Sequence, residues 1–237
     1  MTAADPPRPA TRIVLVGANG RMGRRIEELA RGRTEVLLTM RLGRETTAAD
    51  GTDDGNDVDC VIDFSSVDGT RRAIAFARER RAALLVGTTG LPDAVLQELR
   101  ALAATNAVLV APNTSLGVAL VRRLARIAAE TLGPAGWSVD LVESHHDRKK
   151  DAPSGTALAL ARSVEEGGMR VEEGRIHAIR AGDTVGEHEV RFAGPGERIH
   201  LFHQAVARDL FAEGALRAAR WLHGRAPGLY GMDDVLG

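Results

Sequence analysis

The chain has 237 residues, 44% of them hydrophobic and 27% charged, with 31 Lys plus Arg against 32 Asp plus Glu and a single cysteine. That length allows one compact domain or two unequal ones, the composition excludes a disordered chain, and a net charge of -1 argues against nucleic acid as a partner. Lone Cys60 excludes an intrachain disulfide framework and multi-cysteine metal sites; with no apolar run near the roughly 18 residues of a membrane span and no signal-peptide centre in residues 1–10, a cytoplasmic protein is expected, with no membrane partner.

Residues 1–11 carry Pro6, Pro7 and Pro9 among small and polar neighbours and are expected to form a disordered tail. Ile13-Val14-Leu15-Val16 is a β-branched apolar run ending at a glycine, as in a strand buried on both faces of a parallel sheet. Residues 23–31 then place Ile26, Leu29 and Ala30 at helical spacing, and 36–40 read as a second strand. A Gly-, Thr- and Asp-rich stretch, 43–57, reads as a surface loop. The alternation resumes with strand 58–64, helix 69–81, strand 83–86, helix 93–104 and strand 107–110. Strands alternating with helices of this length predict right-handed βαβ crossovers and an open parallel sheet, whose ligands sit beyond the strands' carboxyl ends.

Past Pro112 the rhythm changes. A long helix over 116–132 precedes more polar, alternating strands at 138–143, 176–180, 187–193 and 198–205, with helix 154–165 among them and Gly194-Pro195-Gly196 turning the last two into a hairpin. A helix over 210–223 and a loose Gly-rich tail end the chain. The expected fold class is α/β: a Rossmann-like dinucleotide-binding domain with a parallel sheet, plus a smaller α+β domain with a mixed sheet.

Two stretches carry chemistry. Gly17-Ala18-Asn19-Gly20-Arg21-Met22-Gly23 lies between the first strand and first helix, where glycines permit a tight turn and bring backbone N–H groups to a pyrophosphate at the helix's positive end. The spacing is G-x-x-G-x-x-G, so a glycine turn without a ligand stays open. At the end of the second strand, Met40-Arg41-Leu42-Gly43-Arg44 offers no acid to ribose hydroxyls, and Arg41 and Arg44 flank the position. A dinucleotide site there is expected to take NADPH at least as well as NADH; two solvated arginines are the alternative.

The second stretch is Glu143-Ser144-His145-His146-Asp147-Arg148-Lys149-Lys150-Asp151-Ala152-Pro153-Ser154-Gly155-Thr156. His145 can carry a proton near neutral pH, His146 can bond an anion, Lys149 can supply fixed positive charge, and Ser154-Gly155-Thr156 opens a helix whose N–H groups suit a carboxylate. Together they describe a pocket for a small dianion. Paired histidines also serve as metal ligands, but no third ligand stands at suitable spacing and the lysines would repel a cation, so no metal is expected. A solvated basic loop before a capped helix is the blander alternative.

These stretches, together with Asp63-Phe64-Ser65, Gly87-Thr88-Thr89-Gly90, Pro112-Asn113 and Arg180-Ala181-Gly182-Asp183-x-Val185-Gly186-Glu187-His188, resemble the dihydrodipicolinate reductase family in order and over nearly the whole chain. The resemblance implies reduction of a small dicarboxylate in diaminopimelate and lysine synthesis, with a homotetramer and hinge closure. The implied domains are dinucleotide-binding, 12–114 and 209–237, and substrate-binding with oligomerisation, 115–208. Gly17, Ala18, Asn19, Gly20, Arg21 and Met22 would hold the pyrophosphate of NADPH or NADH, and Arg44 would discriminate between the two. Gly87, Thr88, Thr89, Ala111, Pro112, Asn113 and Thr114 would contact the nicotinamide side. His145 and Lys149 would be catalytic, and His146, Ser154, Gly155 and Thr156 would bind the substrate carboxylates. The chain departs from the family in a shortened segment between Arg44 and Val58, Gly43 in place of an acid, Thr114 in place of an aromatic, and Asp147-Arg148, where the aspartate is expected to lower the positive potential. Another two-domain nicotinamide-dependent reductase or amino-acid dehydrogenase, or a non-catalytic NADP(H)-binding protein, shares the glycine cradle but does not need the whole His-His to Gly-Thr stretch.

Overall fold

A computed structural model describes residues 9–43 and 58–237. The chain forms two compact units, one built from residues up to Thr114 and from Phe211–Val235, the other from Ser115–Leu210.

In the first unit β1 (Thr11–Val16), α1 (Arg21–Arg31), β2 (Val36–Leu42), β3 (Cys60–Asp63), α2 (Val67–Arg80), β4 (Ala83–Val86), α3 (Asp93–Leu102) and β5 (Ala107–Val110) alternate as the sequence predicts. Ile13, Val14, Leu15 and Val16 are all fully buried although successive residues face opposite sides, so both faces of the sheet are covered. On one face Val14, Val16, Val61, Leu84 and Val108 pack with Ala73, Ile74 and Phe76 of α2 and Val95 and Leu99 of α3. Cys60 is buried in β3, and burial pushes its thiol up to about 12, far from reactivity.

Two expectations for the chain ends are corrected. Thr11, assigned to the disordered tail, opens β1: its N–H donates to Glu35 O at 3.0 Å and it pairs with Val36. Beyond the return helix α6 (Asp209–Leu222), the stretch read as a loose tail forms β10 (Gly228–Tyr230), parallel to β5, and α7 (Met232–Val235). Three residues between Pro227 and Gly231 are too short for a period-2 signal; what holds them is backbone pairing and the edge-on packing of Tyr230 on Trp221, centroids 5.4 Å apart. The six parallel strands run in the order β10-β5-β4-β3-β1-β2. The chain therefore leaves β1 for β2 on one side and returns to β3 on the other, and the switch point lies at the carboxyl ends of β1 and β3.

The second unit holds α4 (Leu116–Leu132), β6 (Ser138–His145), α5 (Gly155–Glu166), β7 (Ile176–Arg180), β8 (Gly186–Gly194) and β9 (Glu197–Ala205). Its sheet order is β7-β6-β8-β9, with β6 and β7 parallel and the other pairs antiparallel. Alternation puts Val139, Leu141, Val190, Phe192 and Leu201 on the face packed against Val121 and Ala125 of α4 and Leu160 and Val164 of α5. The β6 alternation continues past Leu141, so Glu143 and His145 fall on that covered face.

Candidate active site

At the switch point the residues after β1 form a turn closed by the Gly20 N–H bonding Gly17 O at 2.9 Å, and α1 starts immediately after. Gly17 has φ +84°, and a Cβ there would stand 2.2 Å from Phe64 O; a Cβ on Gly23 would stand 2.2 Å from Gly17 O. Only glycine lets β1, the β3–α2 loop and α1 approach this closely. Gly20 caps α1 without a side-chain hydrogen bond, so the helix presents its positive end with no competing hydroxyl or carboxylate. Gly17, Ala18, Asn19 and Gly20 line a cavity of about 630 Å³ with Phe64, Ser65 and Ser66. This cradle fits a dinucleotide pyrophosphate. Arg21 and Met22 stand in the first turn of α1 and do not line it; Arg44 lies outside the described residues.

Asp63 fixes the neighbouring loops. Its buried carboxylate accepts from Thr70 Oγ1 (2.6 Å), from Thr88 Oγ1 (2.9 Å) and from Ser65 Oγ, while Thr88 Oγ1 accepts from Ser65 N at 2.8 Å. Burial raises its pKa and the hydroxyl bonds oppose that rise. The Thr88 hydroxyl is thus engaged inside the fold, whereas Thr89 is exposed. A Cβ on Gly87 would meet the Phe64 ring at 2.2 Å. Ala111, Pro112, Asn113 and Thr114 leave β5 at the same edge of the sheet, where Thr114, 1% exposed, donates its hydroxyl to Phe211 O at 2.6 Å. The Thr114 side chain is anchored inward, against the return helix.

In the second unit His145 is the last residue of β6, and its Nδ1 lies 2.5 Å from Glu143 Oε2. Arg180 grips Glu143 from β7 with two donors at 2.8 and 3.0 Å, and Ser154 N–H donates to Glu143 Oε1 at 3.1 Å. Burial alone would raise the Glu143 pKa, but the bonds from Arg180 and His145 hold it below the usual carboxylate range. A carboxylate on Nδ1 fixes the tautomer and leaves Nε2 as the reactive atom. That atom faces Gly186, where a Cβ would stand only 3.1 Å away. Burial lowers the His145 pKa, Glu143 pulls it up, and the charges of Lys149 and Arg180 lower it further.

The loop after His145 is tied to the β7–β8 loop by Ala181 N–H to His145 O at 2.9 Å and Asp147 N–H to Gly182 O at 3.2 Å. Asp147 and Arg148 are exposed. The carboxylate that meets Lys149 belongs to Asp151, at 2.8 and 2.9 Å from Nζ. His146 is half-buried, and its Nδ1 has no hydrogen-bond partner among the described residues. Ser154 caps α5 by accepting from Ala157 N at 3.2 Å, and its hydroxyl lies 3.3 Å from His188 Nε2. With that side chain turned inward, the anion-binding capacity of this helix end rests on the backbone of Gly155 and Thr156, the first two helical positions.

Glu143, Arg180, Gly186 and His188 are functional candidates that motif reading left without roles. The signal for Glu143 is its place in an alternating strand: a carboxylate in register with Val139 and Leu141 needs a buried partner. His188 sits opposite Glu143 in β8 and its ring meets His145 edge-on, centroids 5.1 Å apart. Among the described residues no group of three or more His, Cys, Asp or Glu is placed to hold a metal ion, and no helix is long and apolar enough to cross a membrane.

Comparison with known proteins matches residues 11–114 to dihydrodipicolinate reductase, N-terminus, and residues 117–236 to dihydrodipicolinate reductase, C-terminus. The 4-hydroxy-tetrahydrodipicolinate reductase of Stenotrophomonas maltophilia (strain R551-3) is 44% identical, over 95% of this chain and 97% of that protein. That of Hahella chejuensis is 40% identical, over 96% of this chain and 99% of the other. The fold is shared with a dipicolinate-bound dihydrodipicolinate reductase from Paenisporosarcina sp. TG-14, at a TM-score of 0.75 and 22% identity over 95% and 99% of the two chains.

Proposed function

The chain belongs to the dihydrodipicolinate reductase family, and from that premise we propose how its residues divide the work. The reaction is reduction of 4-hydroxy-tetrahydrodipicolinate, by way of the dihydrodipicolinate left when water departs, to tetrahydrodipicolinate in lysine and diaminopimelate synthesis. The unit of residues up to Thr114 and Phe211–Val235 is the dinucleotide-binding domain, and Ser115–Leu210 the substrate-binding and oligomerisation domain. The observation that carries this reading is the Glu143–His145 pair beside the amino end of α5.

When bound, the reduced nicotinamide supplies the hydride. The chain's own residues do the rest. Gly17 to Gly20 hold the pyrophosphate against α1. Gly155 and Thr156, with His146, take the substrate carboxylates, and Lys149 adds positive charge as negative charge develops on the ring. His145 donates the proton from Nε2 while Glu143 balances the imidazolium. Burial keeps the resting ring below the usual histidine pKa, and a dianionic substrate beside it raises that pKa again, so the proton is gained when it is needed.

NADPH is proposed to serve at least as well as NADH. A homotetramer and a cytoplasmic location belong to the same reading; assembly is supported by the face of the second sheet on which Ile179 and Phe202 are 48% and 57% exposed. The direct test is oxidation of NADPH and NADH by purified protein, with substrate generated from pyruvate and aspartate semialdehyde by a synthase and each component omitted in turn. Substrate-dependent oxidation is the expected result. Cofactor binding without oxidation would favour a non-catalytic binding protein or a reductase for another substrate.

A further inference from the structure

We infer, resting on the functional reading above for the roles of His145 and Lys149, that Arg180 is a positioning residue: its one guanidinium holds both the carboxylate behind His145 and the loop that carries Lys149, and so fixes the two groups relative to each other. Parallel pairing sets Arg180, the last residue of β7, beside His145, the last residue of β6. Side chains alternate along each strand, so partners in this register share a face. Arg180 therefore emerges on the covered face of the sheet, where the side chain of Glu143 is 1% exposed. Its two terminal nitrogens meet the two oxygens of that carboxylate, at 2.8 Å to Oε1 and 3.0 Å to Oε2, a fork that arginine supplies and lysine does not.

A buried carboxylate needs a positive partner, and neutralising Glu143 would by itself account for that fork. The same guanidinium does more. Its Nη2 also donates to the backbone carbonyl of Asp151 at 2.6 Å, a bond that adds nothing to the neutralisation of Glu143, and the side chain of Asp151 in turn holds Lys149 Nζ. A chain of contacts thus runs from His145 Nδ1 through Glu143, Arg180 and Asp151 to the Lys149 amine. Residues 146–154 join β6 to α5 without regular secondary structure, and a reacting group misplaced by about 1 Å can lose about 100-fold in rate, so a tie from the sheet to this loop has a catalytic use. The charge of Arg180 acts on the ring as well. Around His145 stand Glu143 on its own strand, His146, Lys149 and Asp151 on the loop, Arg180 on β7, and His188 on β8 with His203 beyond it on β9. Glu143 raises the His145 pKa, whereas Lys149 and Arg180 lower it. With the protonated ring as donor, activity falls as pH rises through that pKa, and loss of Arg180 moves this limb to higher pH, opposite to loss of the Glu143 charge.

The test is steady-state kinetics of the full chain from pH 5 to 9, with Tm measured alongside, on Arg180→Lys, Arg180→Met, Glu143→Gln and the double variant Glu143→Gln/Arg180→Met. Arg180→Lys keeps the charge and loses the fork, so turnover on the low-pH plateau is expected to fall roughly tenfold with the limb where wild type has it. Arg180→Met is expected to fall roughly 100-fold and to carry its limb to higher pH. If Arg180→Met fails to fold because Glu143 is left without its partner, the double variant, which buries no lone carboxylate, decides the matter: its turnover is expected to lie below that of Glu143→Gln alone, because the tie to Asp151 is gone. Full turnover in Arg180→Lys would overturn the inference by making charge sufficient. Equal turnover in the double variant and Glu143→Gln would overturn it by confining Arg180 to neutralising Glu143, and so would a slow Arg180→Met whose limb stays in place, by making the loss one of packing alone. A wild-type chain without substrate-dependent oxidation would overturn the functional reading itself, and the inference with it.

Discussion

Nδ1 of His145 lies 2.5 Å from Oε2 of Glu143, two residues earlier on the same face of β6. The pair is built by strand alternation alone, and Arg180 and the Ser154 N–H complete the coordination of the carboxylate. Glu143 therefore links the catalytic ring to the start of the helix proposed to hold the substrate.

Glu143→Gln removes the charge that raises the His145 pKa while keeping the shape of the side chain. If His145 must be protonated to donate, activity falls as pH rises through its pKa, and the substitution moves that limb to lower pH. Turnover at pH 7 is expected to drop roughly 10- to 100-fold, part of the roughly 10²–10⁴-fold that a positioned acid–base group contributes. Steady-state rates from pH 5 to 9 check this; a lower rate with an unmoved limb would leave Glu143 a purely structural role.

His188 gives the fold a pH dependence. It is 5% exposed, and burial, aided by the charges of His145 and His203, pushes its pKa down to about 4. The unfolded chain titrates it near 6.5, so the unfolded state binds the extra proton first. The stabilisation is complete above about pH 6.5 and is lost as pH falls toward 4, amounting to about 3 kcal/mol if His188 acts alone. His145 and His203 are shifted the same way. Urea unfolding at pH 7.5, 6 and 5 is expected to show this slope, and His188→Gln to flatten it. A variant with the wild-type slope would place the acid sensitivity in other groups.

Both sheets follow from sequence patterns with a long reach: four-residue apolar runs for the buried parallel strands and period-2 alternation for the mixed sheet. The glycine turn was legible too, because its residues are contiguous. What stayed hidden depends on tertiary partners. Thr88 and Thr114 present hydroxyls in the sequence, but Asp63 and the Phe211 carbonyl engage them inside the fold. Ser154 reads as a carboxylate ligand, yet its hydroxyl caps α5 and meets His188, 34 residues away. Arg180 lies 37 residues from Glu143, and no local spacing announces that pairing.

Two glycines that look alike in sequence are expected to respond differently to a methyl group. Gly17→Ala puts a Cβ 2.2 Å from Phe64 O at φ +84° and is expected to cost at least about 2 kcal/mol and to abolish dinucleotide binding. Among the described residues nothing lies within 4 Å of a Cβ on Gly155, an exposed first helical residue. Gly155→Ala should keep the wild-type Tm while raising KM for the dicarboxylate, because the methyl group crowds the N–H proposed to receive it. Thermal melts with substrate titrations separate the two; an unchanged KM would remove Gly155 from the binding site.

Lys149 is the sharpest test of the proposed charge stabilisation. Its Nζ is paired with exposed Asp151, so the cation is held near the helix end but remains within reach of a competing dianion. Lys149→Ala is expected to lower turnover by about 100-fold or more, the scale for removing one donor aimed at developing charge, with NADPH affinity of the free enzyme within about twofold. Asp151→Asn releases the amine from its carboxylate and should instead lower KM for the dicarboxylate, since one competing negative charge is gone. If Asp151→Asn raised KM while Lys149→Ala also weakened NADPH binding, the pair would be holding the loop in shape, and the charge stabilising the reduced ring would have to come from the α5 amino end alone.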